Sequence, residues 1–153
     1  MRPSAAEKMT AQDLVRALGV PDLPARTSAF DPGYDPVTVR SHLEQSGRLL
    51  SRLKLSMATW LIADEAATRS KIEAARRLEV PLVTGGGPYE IAAARGCLEA
   101  FVELCASLRI QRIEVGEGFT QPRPVEAIME LARRHGLEVQ VELGAKHGGG
   151  PAP

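Results

Sequence analysis

The sequence predicts an α/β protein, a parallel (β/α) barrel of TIM type holding about five of the usual eight βα units. Five short apolar or β-branched runs, at 27–30, 53–57, 81–84, 112–115 and 138–142, have centres Ala29, Lys54, Val83, Ile113 and Val141, spaced 25, 29, 30 and 28 residues apart. That spacing fits a strand plus one crossover helix. Helical patterns fill the intervals, and consecutive units of this kind require parallel strands joined by right-handed crossovers. The near-constant period favours a barrel over a doubly wound sheet, whose flavodoxin-like order is the alternative. Eight units need ~200 residues or more, and 153 residues hold five.

Each helix has its own signals. Before the repeat, Thr10 and Asp13 form a capping-box pattern for a short helix through Leu18, ended by Gly19 and Pro21. Packing of this helix on the domain is the expectation, with a lid as the alternative. After the first strand, Asp35 caps a helix whose first residue is Pro36, with Val37, Val39, Leu43, Leu49 and Leu50 as its apolar stripe. Residues 65–78 (EAATRSKIEAARRL) combine good helix formers with Ile72, Ala75 and Leu78. A short helix over 88–94 breaks at Gly96, and Leu98, Phe101, Val102, Cys105 and Leu108 then mark the clearest amphipathic helix. Val125, Ile128, Met129 and Ala132 share a face of the last helix, with Gly136 as its C′ residue. The expected organisation is a helical extension over 1–24, a barrel domain over 25–146 and a flexible tail over 147–153.

Composition narrows the function classes. Nineteen Lys and Arg balance nineteen Asp and Glu, and the pI is near 6.8. Nucleic acid and membrane surfaces, which call for a surplus of basic residues, are therefore not expected partners. The longest apolar stretch, LSMATWLIA at 55–63, is about half of the ~20 residues a membrane span needs. The N-terminus lacks the apolar core of a secretory signal, so a cytoplasmic location is expected. Cys97 and Cys105, eight residues apart in one helical segment, would lie ~12 Å apart and beyond disulfide reach. Both read as buried thiols. No Cys and His stand at zinc-ligand spacing. Trp60, Tyr34 and Tyr89 read as packing residues of the core or rim.

In barrels and doubly wound sheets alike, ligands gather at the C-terminal ends of the strands. Asp31 follows the first strand, and Lys54 lies inside the second between Leu53 and Leu55. An unpaired ammonium is costly to bury, so Lys54 reads as a functional cation suited to phosphate or carboxylate. Gly85, Gly86 and Gly87 read either as a tight turn needing positive φ or as backbone N–H groups aimed at an anion. Glu90 reads as an ordinary first-turn acid or as a site residue. Glu114, Glu117 and Glu142 would lie on adjacent strands, close enough to share Mg²⁺; pairing of Glu114 or Glu142 with Lys54 or Lys146 in a structural network is the other reading, and the two are not exclusive. Lys146, behind Gly144, stands where a barrel's general acid could sit, or is simply solvated.

Several of these segments together resemble one family. LKLSMAT (53–59), SKIEAAR (70–76), VTGGGPYEIAAARG (83–96), IEVGEG (113–118) and VELGAK (141–146) are similar in order and spacing to phosphosulfolactate synthase. The resemblance implies a TIM barrel that adds sulfite to phosphoenolpyruvate with Mg²⁺, giving 2-phospho-3-sulfolactate, the opening step towards coenzyme M. Its positions match at Lys54, Gly85, Gly86, Glu90, Glu114, Glu142 and Lys146, and with the strand-end placement above the expected roles are catalytic for Lys146 and Lys54, substrate or phosphate binding for Asp31, Lys54, Gly85, Gly86 and Glu90, and metal binding for Glu114, Glu117 and Glu142. Departures fall at Pro32, where the family has Lys in an Asp-Lys-Gly turn, at Ala145, where it has the first of two lysines, and at Gly116–Glu117, where it has Ser-Asp. The sequence stops after the fifth unit, so a homo-oligomer or a complementary chain is the expected partner besides the small anionic substrates. A non-catalytic scaffold of the same fold is the alternative function.

Overall fold

The computed structural model describes residues 9–22, 24, 26–116 and 125–143. They form one parallel sheet in the order β1-β2-β3-β4-β5. The strands are β1 (Thr27–Asp31), β2 (Leu50–Leu55), β3 (Leu82–Thr84), β4 (Arg112–Val115) and β5 (Glu138–Val141). Strictly sequential order excludes the flavodoxin-like alternative, in which the second strand lies outside the first. The fold is a partial α/β barrel of TIM type. The helices are α1 (Ala11–Ala17), α2 (Pro36–Ser46), α3 (Thr59–Ile62), α4 (Glu65–Arg77), α5 (Gly86–Ala94), α6 (Leu98–Ser107) and α7 (Val125–Arg134).

Strand alternation assigns the two faces. Leu53 and Leu55 of β2, Leu82 of β3, and Ile113 and Val115 of β4 turn towards the helices. They join Ile72, Ala75, Val102, Cys105, Ile128 and Ala132 in the core. Arg52 and Lys54 point the opposite way. Val83, in register with Lys54 on one side and Arg112 on the other, is fully buried yet stands outside that core. Its cover comes from the other face.

That other face is concave. The Arg52 guanidinium on β2 hydrogen-bonds the Gln140 side-chain oxygen on β5, three strands away. In a flat sheet these strands would lie ~14 Å apart with side chains perpendicular to the plane, too far for the two to meet. The five strands are therefore already curled as a barrel wall.

Connections repeat a single device. After α4, α6 and α7 the N–H groups of Val80, Ile110 and Leu137 return to the carbonyls of Ala75, Cys105 and Ala132 at 2.9, 3.0 and 2.9 Å. Each returning residue is buried. The residue before it, Glu79, Arg109 or Gly136, is left-handed, with φ of 55°, 61° and 70°. This is the Schellman ending, in which the orphan carbonyls of the last turn are satisfied while the chain reverses into the next strand.

Several sequence expectations need correction. Strand β2 starts at Leu50 and ends at Leu55, because Met57 turns into the left-handed region at φ 51°. Helix α1 has the expected capping box but buries none of its residues, so it does not pack on the domain. Of the two free cysteines only Cys105 is buried; Cys97 is exposed, since it precedes the first turn of α6 just after the left-handed Gly96. Helix α5 begins at Gly86, with Gly85 as its cap, so Glu90 lies in the second turn and is no first-turn acid. Trp60 and Tyr89 are buried as expected, while Tyr34 is exposed beside His42.

Candidate active site

The C-terminal end of the sheet brings together three of the expected site residues. Lys54 Nζ lies 2.6 Å from Glu114 Oε1, and the same oxygen accepts the Gly86 N–H at 3.0 Å. Lys54 is on β2 and Glu114 on β4, so their pair bridges over Val83 of β3, whose small side chain leaves the space. The Lys54 side chain is 27% exposed and that of Glu114 3% exposed. The cation thus faces the open concave side and its counter-ion sits beneath it.

Of the two sequence readings of the glycine run, the positive-φ turn is not found, and an N–H aimed at an anion is found with the protein's own Glu114 as that anion. Gly85 has φ −76°, and neither Gly86 nor Gly87 has positive φ, so the tight-turn explanation does not hold. A Cβ on Gly85 would stand 2.9 Å from the backbone nitrogen of Met57. Glycine is required by close approach of the β2–α3 turn. The start of α5, where N–H groups carry partial positive charge, is directed at the Glu114 carboxylate.

Glu114 is held from every side. Its Oε2 accepts Gln140 Nε2 at 3.0 Å, and its backbone N–H donates to the buried Thr84 hydroxyl at 3.1 Å. Sequence reasoning missed Gln140 and Arg52. Their signal was the two-residue period that puts Arg52 on the Lys54 face and Gln140 on the Glu142 face of their strands.

Asp31 belongs to a different environment. It is in register with Leu55 and faces the helices, where Lys71 Nζ of α4 meets its Oδ2 at 2.7 Å, with side chains 6% and 3% exposed. Asp31 Oδ1 accepts the N–H groups of Gly33 at 2.9 Å and Tyr34 at 2.7 Å, and its carbonyl accepts the Ser56 N–H at 3.1 Å. Asp31 therefore anchors the β1–α2 turn. Glu90 is fully buried in α5, and Glu142, just past β5, is partly buried and donates its N–H to Val115 at 2.8 Å. Glu117 and Lys146 lie outside the described residues.

The donor set can be tested against Mg²⁺. A carboxylate offers about four lone-pair directions, and Glu114 uses three of them on Lys54, Gly86 and Gln140. A divalent ion there would compete with an ammonium 2.6 Å away, so Glu114 as placed does not fit a metal ligand. Among the described residues, the group of three ligating side chains with atoms within 4.8 Å of one another is Glu99, Glu103 and His135. It lies on α6 and just past the end of α7, with Glu99 also 3.7 Å from Arg134. No described helix is long and apolar enough to cross a membrane.

The fold and the lysine–glutamate pair at its strand ends define the class: a TIM-type α/β barrel, in which small molecules are handled at the C-terminal mouth. Residues 21–150 match the family described as (2R)-phospho-3-sulfolactate synthase (ComA), and the chain belongs to that family. It is 24% identical over 122 residues to a phosphosulfolactate synthase of Methanocaldococcus jannaschii, covering 78% of this chain and 49% of that relative. It is 25% identical over 122 residues to one of Methanothermobacter thermautotrophicus, covering 78% and 47%. The chain spans about half the length of these curated relatives.

Proposed function

We propose that the protein is a phosphosulfolactate synthase-like lyase that adds sulfite to phosphoenolpyruvate. The observation that carries this reading is Lys54, a half-open cation at the strand ends of a barrel of this family, backed by a buried Glu114. In the proposed reaction the sulfite sulfur forms a bond to C3 of phosphoenolpyruvate, and the C2=C3 electron pair moves onto C2 and its carboxylate. A proton delivered to C2 then gives 2-phospho-3-sulfolactate. Lys54 would bind the phosphate or carboxylate as a fixed positive charge, and Lys146 is the proposed proton donor. Glu142 with Glu117 is the carboxylate pair left to hold Mg²⁺, which would supply charge opposite the enolate-like carboxylate.

The test is incubation with phosphoenolpyruvate, sulfite and Mg²⁺, followed by ³¹P NMR. A new phosphate ester resonance that requires all three supports the reading. No product, together with no binding of phosphoenolpyruvate, sinks it.

A second reading, a barrel that acts only once further strands join it, is favoured by the sheet edges. Among the described residues neither β1 nor β5 has an outer neighbour. Phe30 and Leu143 beside those edges are 58% and 91% exposed, and an apolar groove of about 700 Å³ runs between α7 and β5 past Met129, Leu137, Val139 and Val141. Light scattering separates the cases, since association into a second copy of this chain would raise the mass in solution.

A further inference from the structure

We infer that Gln140 and Arg52 are positioning residues for Lys54, acting through Glu114, and that Glu114 is the counter-ion of this lysine instead of a metal ligand. The inference deepens the reading of Lys54 as the substrate-anion cation and rests on it.

Arg52 can only donate, so the Gln140 atom it meets must be the carbonyl oxygen. The amide nitrogen is thereby turned towards Glu114 Oε2, at 3.0 Å, and a carboxylate can only accept. The orientation of Gln140 is thus fixed at both ends, and no flipped amide satisfies either neighbour. Gln140 in turn sets the rotation of the Glu114 carboxylate, which leaves Oε1 for Gly86 and Lys54.

The whole line, Arg52 to Gln140 to Glu114 to Lys54, crosses from β2 to β5 and back over the concave face. Three of its links are charge-assisted, the stronger kind of hydrogen bond. Because Glu114 is 3% exposed, water cannot replace a lost donor there without opening the site. Loss of Gln140 therefore lets the carboxylate turn and Lys54 follow it. The far anchor also has a cost: Arg52 Nε is buried with no hydrogen-bond partner among the described residues. An apolar side chain at 52 would avoid that orphaned donor. Arg52 is better explained by what its Nη1 holds than by packing.

The experiment uses the full chain and the variants Gln140→Glu and Arg52→Met. Gln140→Glu keeps the shape and the Arg52 contact but replaces the N–H donor with a carboxylate facing Glu114. Two readouts are taken: the Lys54 ammonium resonance in ¹⁵N-edited NMR, and phosphoenolpyruvate affinity by calorimetry. The wild-type resonance is expected to be slowly exchanging and sharp, and to broaden or vanish in both variants. Affinity is expected to fall about tenfold or more, the scale of one charge-assisted hydrogen bond.

A Gln140→Glu protein that keeps the wild-type resonance and affinity overturns the inference, as does a wild type without a protected Lys54 ammonium. If Gln140→Glu does not fold, Arg52→Met, altered only at the far end of the line, decides in the same way. Wild type that binds no phosphoenolpyruvate removes the catalytic reading alone, because the ammonium comparison still tests the positioning line.

Discussion

Two lysine–carboxylate pairs of nearly equal length stand on opposite faces of one sheet. Lys54–Glu114, at 2.6 Å, looks into the barrel with its lysine 27% exposed. Lys71–Asp31, at 2.7 Å, is sealed between sheet and helix with side chains 6% and 3% exposed. The difference lies in what surrounds them. Asp31 spends both oxygens and its carbonyl on the Lys71 ammonium and the turns around it, which leaves nothing for a ligand. Among the described residues Lys54 has one carboxylate partner, and its side chain keeps 27% of its surface exposed. The sealed pair holds a loop, and the half-open pair can meet a solute.

The sharpest way to break this contrast is to delete each cation. Lys71→Met would leave the buried Asp31 carboxylate without a counter-ion and should cost ~3–5 kcal/mol in urea unfolding, with Asp31→Asn/Lys71→Met recovering most of it. A single-variant loss under ~1 kcal/mol would mean the pair is no more enclosed than a surface bridge. Lys54→Met should cost less, ~1–2 kcal/mol, because its half-open ion pair is less desolvated than that of Lys71, the two lysines being 27% and 6% exposed. It should nevertheless abolish phosphoenolpyruvate binding by calorimetry. Equal stability losses for the two variants would erase the distinction.

The seal on the helix side can be checked through Cys105. Burial pushes its thiol from 9.0 up to about 12, and the thiolate is the reactive form. At pH 8 iodoacetamide should label exposed Cys97 and spare Cys105 until the protein is unfolded. The sign for stability follows from the raised value. The Cys105 contribution is complete below pH ~9 and falls away as pH rises towards ~12. Cys105→Ala should therefore flatten the alkaline decline in stability between those limits. The smallest effect expected is from salt: ~1 M NaCl should weaken anion binding at half-open Lys54 and leave the cost of Lys71→Met unchanged.

What the sequence disclosed follows the range of the interactions involved. Helix caps at Asp35 and Thr10, the Gly136 ending and the strand period are local, and each is found where the sequence placed it. Lys54 was readable because a lysine between two leucines in a strand violates its surroundings. Lys71 was not singled out within the helix read over 65–78. Yet it lies on the stripe of Thr68, Ile72 and Ala75, all buried, and that spacing was the available clue. Gln140 could not be recognised from its own neighbours. Its partners are 26 and 88 residues away and meet it only because the sheet curls. The positive-φ reading of Gly85 failed because a glycine required by the approach of another chain segment leaves no local mark. The Lys54–Glu114 pair likewise joins residues 60 positions apart on β2 and β4, so only three-dimensional placement shows it.

The Arg52–Gln140 contact has one more consequence, an entropic one. A curled wall tied across its hollow presents β1 and β5, its edge strands among the described residues, at a set angle. Strands joining those edges would add to a bend that exists beforehand, and little conformational freedom of this chain would remain to be lost on closure. Association would then behave as docking of preformed surfaces and not as folding upon binding.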